Sequence, residues 1–443
     1  MLSKNEIIEK VLITDLNNLG NGVCHVDGQT VFVQNAVDGD ICDIRIIKVT
    51  KSYAVARIEE LHSPSVYRVD PVCPNYKRCG GCVYRPVDYS HEVELKKNYI
   101  INAFRKAGLS VEVENCLYGS PDGYRNKVQY PLDGDYKTGY YARKTHTVIP
   151  GEHCLLQDPV FEPLLEEITA FAKRKNIPVY DEKTGKGIIR HVCLRTASEK
   201  SGHETSVCIV VNADRLPFAD ELGDILITKF PYVKSFSVNV NKEDTNVIMG
   251  EKTVTVRGRD TITDNLCGID FDISPSSFYQ INHDIAEVLY KRAAEYAEIN
   301  DKTKVVDLFC GIGTVGLSVV SGHKNSDLVG IEINPDSVLD AEKNAKRAGI
   351  NARFVCGDAN SEELTDADVV IIDPPRKGIE EKLIKRLAGL EIPKVVYISC
   401  DPDTLARDCR LFVENGYVIS TVTPVDMFPR TGHVECVVLM TKR

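Results

Sequence analysis

The stretch "VVDLFCGIGTVGLSV", residues 305–319, decides the fold. Its first half is an apolar strand carrying Asp307, and its second half starts an apolar helix. Gly311 and Gly313 stand between them. Glycine at both places lets the chain turn tightly and lets a ligand approach the backbone, while the helix start offers unpaired amides. A lone Gly-x-Gly loop is weak evidence, because dinucleotide-binding enzymes use similar loops. The surrounding sequence is more specific.

Downstream, apolar runs alternate with helical ones. "DLVGIEI", "ARFVCGD", "DADVVIIDPP", "KVVYISCD" and "VISTVTPVD" read as strands, and "PDSVLDAEKNAKRAG", "IEEKLIKRLAGL" and "DTLARDCRLFVENG" as helices. This alternation predicts an α/β domain with a doubly wound, mostly parallel sheet, whose ligands bind at the C-terminal strand ends. Glu332 closes the second strand, 19 residues after Gly313, where a carboxylate holds a ribose hydroxyl pair. Asp358 closes the third, placed to meet an adenine edge. With Asp307 these are acids at three successive strand ends. The pattern resembles the S-adenosylmethionine site of the class I (Rossmann-like) methyltransferase fold.

The fourth strand ends in "IIDPPRKG", residues 371–378. Asp373-Pro374-Pro375 resembles the Asp/Asn-Pro-Pro stretch of methyltransferases acting on planar nitrogens. The fifth strand argues otherwise. In "KVVYISCDPDTLARD", residues 394–408, a cysteine sits at the mouth of the strand, just before a helix. An amino group attacks a sulfonium methyl with its own lone pair and needs no thiol. Carbon 5 of uracil has no such lone pair. A thiolate adding to carbon 6 makes carbon 5 nucleophilic, and a base then removes the carbon 5 proton so that the thiolate can leave. Cys400 suits that nucleophile, and its place at a helix start predicts a dipole favouring the thiolate. A buried structural thiol is the commoner fate of the residue type. That fate is expected for Cys310, Cys356, Cys409 and Cys436.

Through "SFYQIN", "DLFCGIGTVGL", "GIEI", "IIDPPRKG", "YISCDP" and "DMFPRTGHVECVVLM", the chain resembles the bacterial RNA uracil-5-methyltransferases over nearly its whole length. The resemblance implies Cys400 as nucleophile and Glu435, in "GHVE", as the base that takes the carbon 5 proton. His433 is the rival base, since an imidazole titrates near neutrality. The resemblance also implies cofactor binding by Gln280, Phe309, Glu332, Asp358 and Asp373, beside Gly311 and Gly313. It puts Phe278 and Asp373 near the target base. Thr314 stands where some relatives have Asn, and is left out of the site.

Cys73, Cys79 and Cys82 form "CPNYKRCGGC", a C-x5-C-x2-C pattern, and Cys154 follows in "PGEHCLLQDP". Four thiolates suit zinc or an iron–sulfur cluster, and the spacing does not choose between them. Cys116 is the rival fourth ligand. The rRNA-modifying branch of the family carries a [4Fe–4S] cluster with this spacing, so the resemblance implies that cluster on Cys73, Cys79, Cys82 and Cys154. It also implies RNA of the large ribosomal subunit as partner, with tRNA as the alternative.

Residues 1–62 read as about five short strands divided by Asn-Gly, Asp-Gly and Gly-Asp turns, a small OB-like β-barrel. "LGNGVCHVDGQTVFVQNAVDGD" resembles the TRAM domain of RNA-modifying enzymes. Residues 63–270 are expected to form a central α+β domain holding the cysteine set, and residues 271–443 the methyltransferase domain. Within the central part, residues 124–149 interleave Arg125, Lys127, Lys137, Arg143 and Lys144 with Tyr124, Tyr130, Tyr136, Tyr140 and Tyr141. That is either an RNA surface, with cations on phosphates and rings on unpaired bases, or an amphipathic hairpin with a half-buried tyrosine face.

A formal net charge of −10 over 443 residues weighs against indiscriminate nucleic-acid binding. Fifteen cysteines behind an N-terminus with no signal core predict a reducing, cytoplasmic setting. No apolar run reaches the roughly 18 residues that span a bilayer. A monomer is expected. Two other classes fit parts of the chain. A radical S-adenosylmethionine methylthiotransferase is opposed by the x5 spacing and the Gly-x-Gly unit. A non-catalytic RNA-binding scaffold is opposed by the presence of Cys400, Glu435, Gln280 and Glu332.

Overall fold

The computed structural model describes residues 2–143, 145–362, 364 and 366–443. The doubly wound sheet has seven strands: β1 (Lys304–Leu308), β2 (Asp327–Glu332), β3 (Ala352–Cys356), β4 (Val369–Ile372), β5 (Lys394–Ser399), β6 (Tyr417–Val425) and β7 (Glu435–Lys442). Their order is β3-β2-β1-β4-β5-β7-β6. The first five are parallel, and β7 runs antiparallel between β5 and β6. Central strands buried on both faces need continuous apolar sequence, and all four residues of β4 are buried.

Helices α1 (His283–Ala297), α2 (Thr314–Val319), α3 (Pro335–Ala348), α4 (Glu381–Gly389) and α5 (Pro402–Glu414) cover the faces. Two of them start on a polar cap followed by proline: Asn334 accepts from the Asp336 and Ser337 amides, and Asp401 from the Thr404 amide. Among the described residues no helix is long and apolar enough to cross a membrane.

The N-terminal sheet has six strands rather than five. The additional one, Asp15–Leu16, is two residues long and leaves no periodic signal. The sheet curls around Ile13, Val31, Val33, Ile44 and Ala54. Its Asn17–Gly20 turn seats on the rest of the molecule. Tyr84 donates its hydroxyl to the Asn17 carbonyl at 2.9 Å, and a Cβ on Gly432 would meet the Asn18 carbonyl oxygen at 1.6 Å.

Between these lies a five-stranded sheet of Lys127–Pro131, Ile189–Thr196, Thr205–Val211, Val233–Val240 and Lys252–Gly258. Helices Phe161–Arg174 and Ala219–Lys229 cover one face of it. The cationic, tyrosine-rich stretch enters this core. Tyr130 is buried, Tyr130 donates to the Tyr140 hydroxyl at 3.1 Å, and Tyr124 donates to the Pro429 carbonyl at 3.0 Å. It is therefore largely the amphipathic hairpin and not an exposed stacking platform. Lys144 lies outside the described residues.

Candidate active site

The strand register brings the two expected catalytic residues to one place. Ser399, the last residue of β5, pairs with Cys436 of β7. One step further along that antiparallel pair, Cys400 comes level with Glu435. Asp373, just past β4, completes the group, and Arg376 follows it in the same loop.

Glu435 is 4% exposed. Burial, and then the Asp373 carboxylate, push its carboxyl up to about 8, with Arg376 opposing. Burial likewise pushes Asp373 up to about 7. The Cys400 thiol is pushed up to about 11 by burial and by the Glu435 and Asp373 carboxylates, again against Arg376. The expected thiolate-favouring helix start is thus overturned. Asp401 caps α5 with its own carboxylate, which answers the helix's free amides and offsets its positive end.

His433 lies on the exposed side of the same loop. Partial burial and the nearby cations Arg376 and Lys96 hold its imidazole below the usual range.

The loop that joins β6 to Glu435 is tied down carbonyl by carbonyl. Met427 accepts from Asn282 Nδ2 at 3.2 Å, Phe428 from Lys96 Nζ at 3.1 Å, Pro429 from the Tyr124 hydroxyl at 3.0 Å, and Arg430 from the Tyr84 amide at 3.1 Å. Lys96 is buried and also donates to Glu92 at 2.8 Å and Asp426 at 2.7 Å. Sequence periodicity has no signal for such a strap, because its partners come from four separate segments.

On the cofactor side, Gly311 and Gly313 have φ of 55° and 82°, and Phe309 between strand and loop has φ of 65°. A Cβ on Gly311 would point into open space, which leaves room for a ligand. Glu332 accepts from the amides of Gly311 at 3.1 Å and Asn334 at 2.8 Å. Ile333 beside it is 69% exposed, an apolar plate that the sequence reading missed. Asp358 accepts from the Asn360 amide at 2.9 Å. Asp307 departs from the expected row of acids. It is buried inside β1 and accepts from the Gly316 amide at 2.8 Å, so it ties the strand to the start of α2. Gln280 is mostly buried near the Tyr290 hydroxyl, and Phe278 is 71% exposed.

Cys73, Cys79, Cys82 and Cys154 line one small cavity with Arg85 and Tyr140. Among the described residues no three of these thiols lie mutually within 4.8 Å. Cys116 lies elsewhere, buried beside Asp426 and Lys96. Cys310, Cys409 and Cys436 are buried as expected, but Cys356 is exposed, because β3 is the edge strand of the sheet.

Glycine loop, strand-end acids and strand order define a class I S-adenosylmethionine-dependent methyltransferase. Comparison with known proteins narrows the class. A family model for tRNA (uracil-5-)-methyltransferases matches residues 364–443, one for the methyltransferase small domain matches 278–387, and one for the TRAM domain matches 8–58. An uncharacterized RNA methyltransferase of Bacillus cereus is 38% identical over 454 residues, covering 100% of this chain and 98% of the relative. One of Clostridium acetobutylicum is 37% identical over 456 residues, with the same coverage. The crystal structure of Pyrococcus abyssi tRNA (uracil-54, C5)-methyltransferase in complex with S-adenosyl-L-homocysteine has a TM-score of 0.81 and 25% identity, covering 98% of this chain and 100% of that one. The chain belongs to the S-adenosylmethionine-dependent RNA uracil-5-methyltransferase family and carries a TRAM domain.

Proposed function

We propose that this protein methylates carbon 5 of a specific uridine in large-subunit ribosomal RNA, with Cys400 as nucleophile and Glu435 as base. The observation that carries the chemistry is the β5–β7 register, which brings the half-buried Cys400 thiol level with the buried Glu435 carboxyl.

S-adenosylmethionine supplies an electrophilic methyl group when bound. Gly311, Gly313 and Phe309 would shape the loop that holds it, Glu332 would take the ribose and Asp358 the adenine, and Gln280 and Asp373 would serve its reacting end. The Cys400 sulfur adds to carbon 6 of the uracil while its proton leaves. That thiol proton passes to the Asp373 carboxylate, which its raised value of about 7 lets take up a proton near neutrality, and the ionised form of Glu435 is kept for the later step. Once carbon 5 carries the methyl group, Glu435 removes the carbon 5 proton, the carbon 6–sulfur bond breaks, and the ring regains its double bond.

Cys73, Cys79, Cys82 and Cys154 are the proposed ligands of a [4Fe–4S] cluster. The four thiols line one small cavity, and four thiolates are a donor set that such a cluster takes. The cluster would cross-link residues 73–82 to the Cys154 segment.

The rRNA target rests on the TRAM domain together with the cysteine set. The likeness to a tRNA enzyme of Pyrococcus abyssi favours tRNA as the second reading. Mass-spectrometric mapping of 5-methyluridine in RNA from a deletion strain tests both. Loss from large-subunit rRNA is expected. Loss from tRNA alone would move the substrate, and no loss from either would sink the proposal.

A further inference from the structure

The central sheet buries its main apolar core on one face and only a small apolar group, Cys193, Cys208 and Val210, on the other. Val128, Leu194, Val207 and Phe236 point into the helical core. On the other face, Lys127 pairs across the strands with Arg195, Arg195 with Ser206, and Ser206 with Ser235. Arg195 is 4% exposed. Its Nη2 donates to the Ser277 carbonyl at 2.9 Å, while Nε and Nη1 have no partner; the Ser206 and Ser235 hydroxyls are also unpartnered.

Lys127, half-buried, forms no ion pair among the described residues. Its charged neighbour is Arg195, and the other titratable groups that act on it are the Cys193 and Cys208 thiols. Arg195 in turn feels only Tyr279 and Cys193. Among the described residues no carboxylate balances either cation. Two like charges side by side, one buried with idle donors, destabilise the free protein unless an anion completes the site.

The position of the pair says which anion. Arg195 holds Ser277, and its strand neighbour Asn126 donates to the Gln280 carbonyl at 3.0 Å and, through its amide, to the Ile281 carbonyl at 2.9 Å. The two cations therefore stand against residues 277–281, the stretch that presents Phe278 to solvent. We propose that Lys127 and Arg195 form a phosphate-binding site that grips the RNA backbone beside the uridine presented at Phe278. The inference rests on the RNA-methylating reading. Adjacent guanidinium and ammonium donors, with no carboxylate beside them among the described residues, match a phosphodiester.

Binding of a fluorescent single-stranded oligouridylate across a salt series tests the site, with S-adenosylhomocysteine affinity as a control for folding. Lys127→Gln should bind the oligonucleotide about tenfold more weakly, with a log–log salt slope shallower by about 0.7, the value for one lost phosphate contact on a single strand. Lys127→Arg should restore both, and S-adenosylhomocysteine should bind all three proteins alike. Unchanged RNA affinity and slope in Lys127→Gln would overturn the phosphate site alone. A parent protein that binds the cofactor product but no RNA at all would overturn the underlying reading with it.

Discussion

Glu435 is a carboxyl kept out of water, and two predictions follow from that. Its folded pKa of about 8 lies above the ordinary 4.5, so the native state binds a proton that the unfolded chain releases. Stability is then lost as pH rises from 4.5 to about 8 and is level beyond. Glu435→Gln should melt higher than the parent protein near pH 8, with the difference fading as pH falls through 4.5; a lower melting point throughout would contradict this. The same change removes the base. Methyl transfer should proceed, but RNA carrying labelled methyl should remain bonded to Cys400 on a denaturing gel. Free product at the parental rate, or trapping by His433→Gln instead, would take Glu435 out of the mechanism. For Cys400, a 5-fluorouridine RNA should form a lasting adduct, because fluorine does not leave as a cation, and Cys400→Ala should abolish it. An adduct that survives in Cys400→Ala would place the nucleophile elsewhere.

At the scale of elements, the loop between β6 and β7 matters most, because it leads into Glu435, the proposed base. Lys96 is its central tie, bonded at once to Glu92, Asp426 and the Phe428 carbonyl. Removing one partner from a buried ionic group costs about 3–5 kcal/mol. Lys96→Met should therefore lower the melting temperature. It should also slow elimination more than addition, so that the covalent RNA adduct accumulates during turnover. Equal slowing of both steps, with no adduct build-up, would make Lys96 a stability residue only.

Two of the junctions between the parts bear on the whole molecule. One is the seat of the N-terminal sheet on Gly432, where a Cβ would reach 1.6 Å from the Asn18 carbonyl oxygen. The other is the cysteine cavity, which joins residues 73–82 to the Cys154 segment. A protein purified without oxygen should be brown and hold about four irons, the content of a cubane held by four cysteine thiolates. Cys154→Ala should lose them and Cys116→Ala should keep them, as read by iron and sulfide analysis. Zinc without labile sulfide would refute the cluster.

Much of this protein was legible in order of sequence. The strand–helix alternation, the glycine turn and the acids at the ends of β2 and β3 follow from local period and turn chemistry, because each strand and cap is determined by its own few residues. Local signals also misled. Asp307 looked like a third ligand-facing acid, yet it points inward to an amide. Cys400 looked activated by a helix start that its neighbour Asp401 had already capped. The aromatic and cationic stretch near Tyr130 looked equally like an RNA surface and a core hairpin. Only the tertiary structure decided these, since burial and partner charge depend on residues far away in the chain. It alone set Cys400 level with Glu435 through the β5–β7 register, bound the loop before Glu435 to four distant segments, and left Lys127 and Arg195 without an acid among the described residues. Those are properties of which surfaces meet, and no window of sequence contains both sides of a contact.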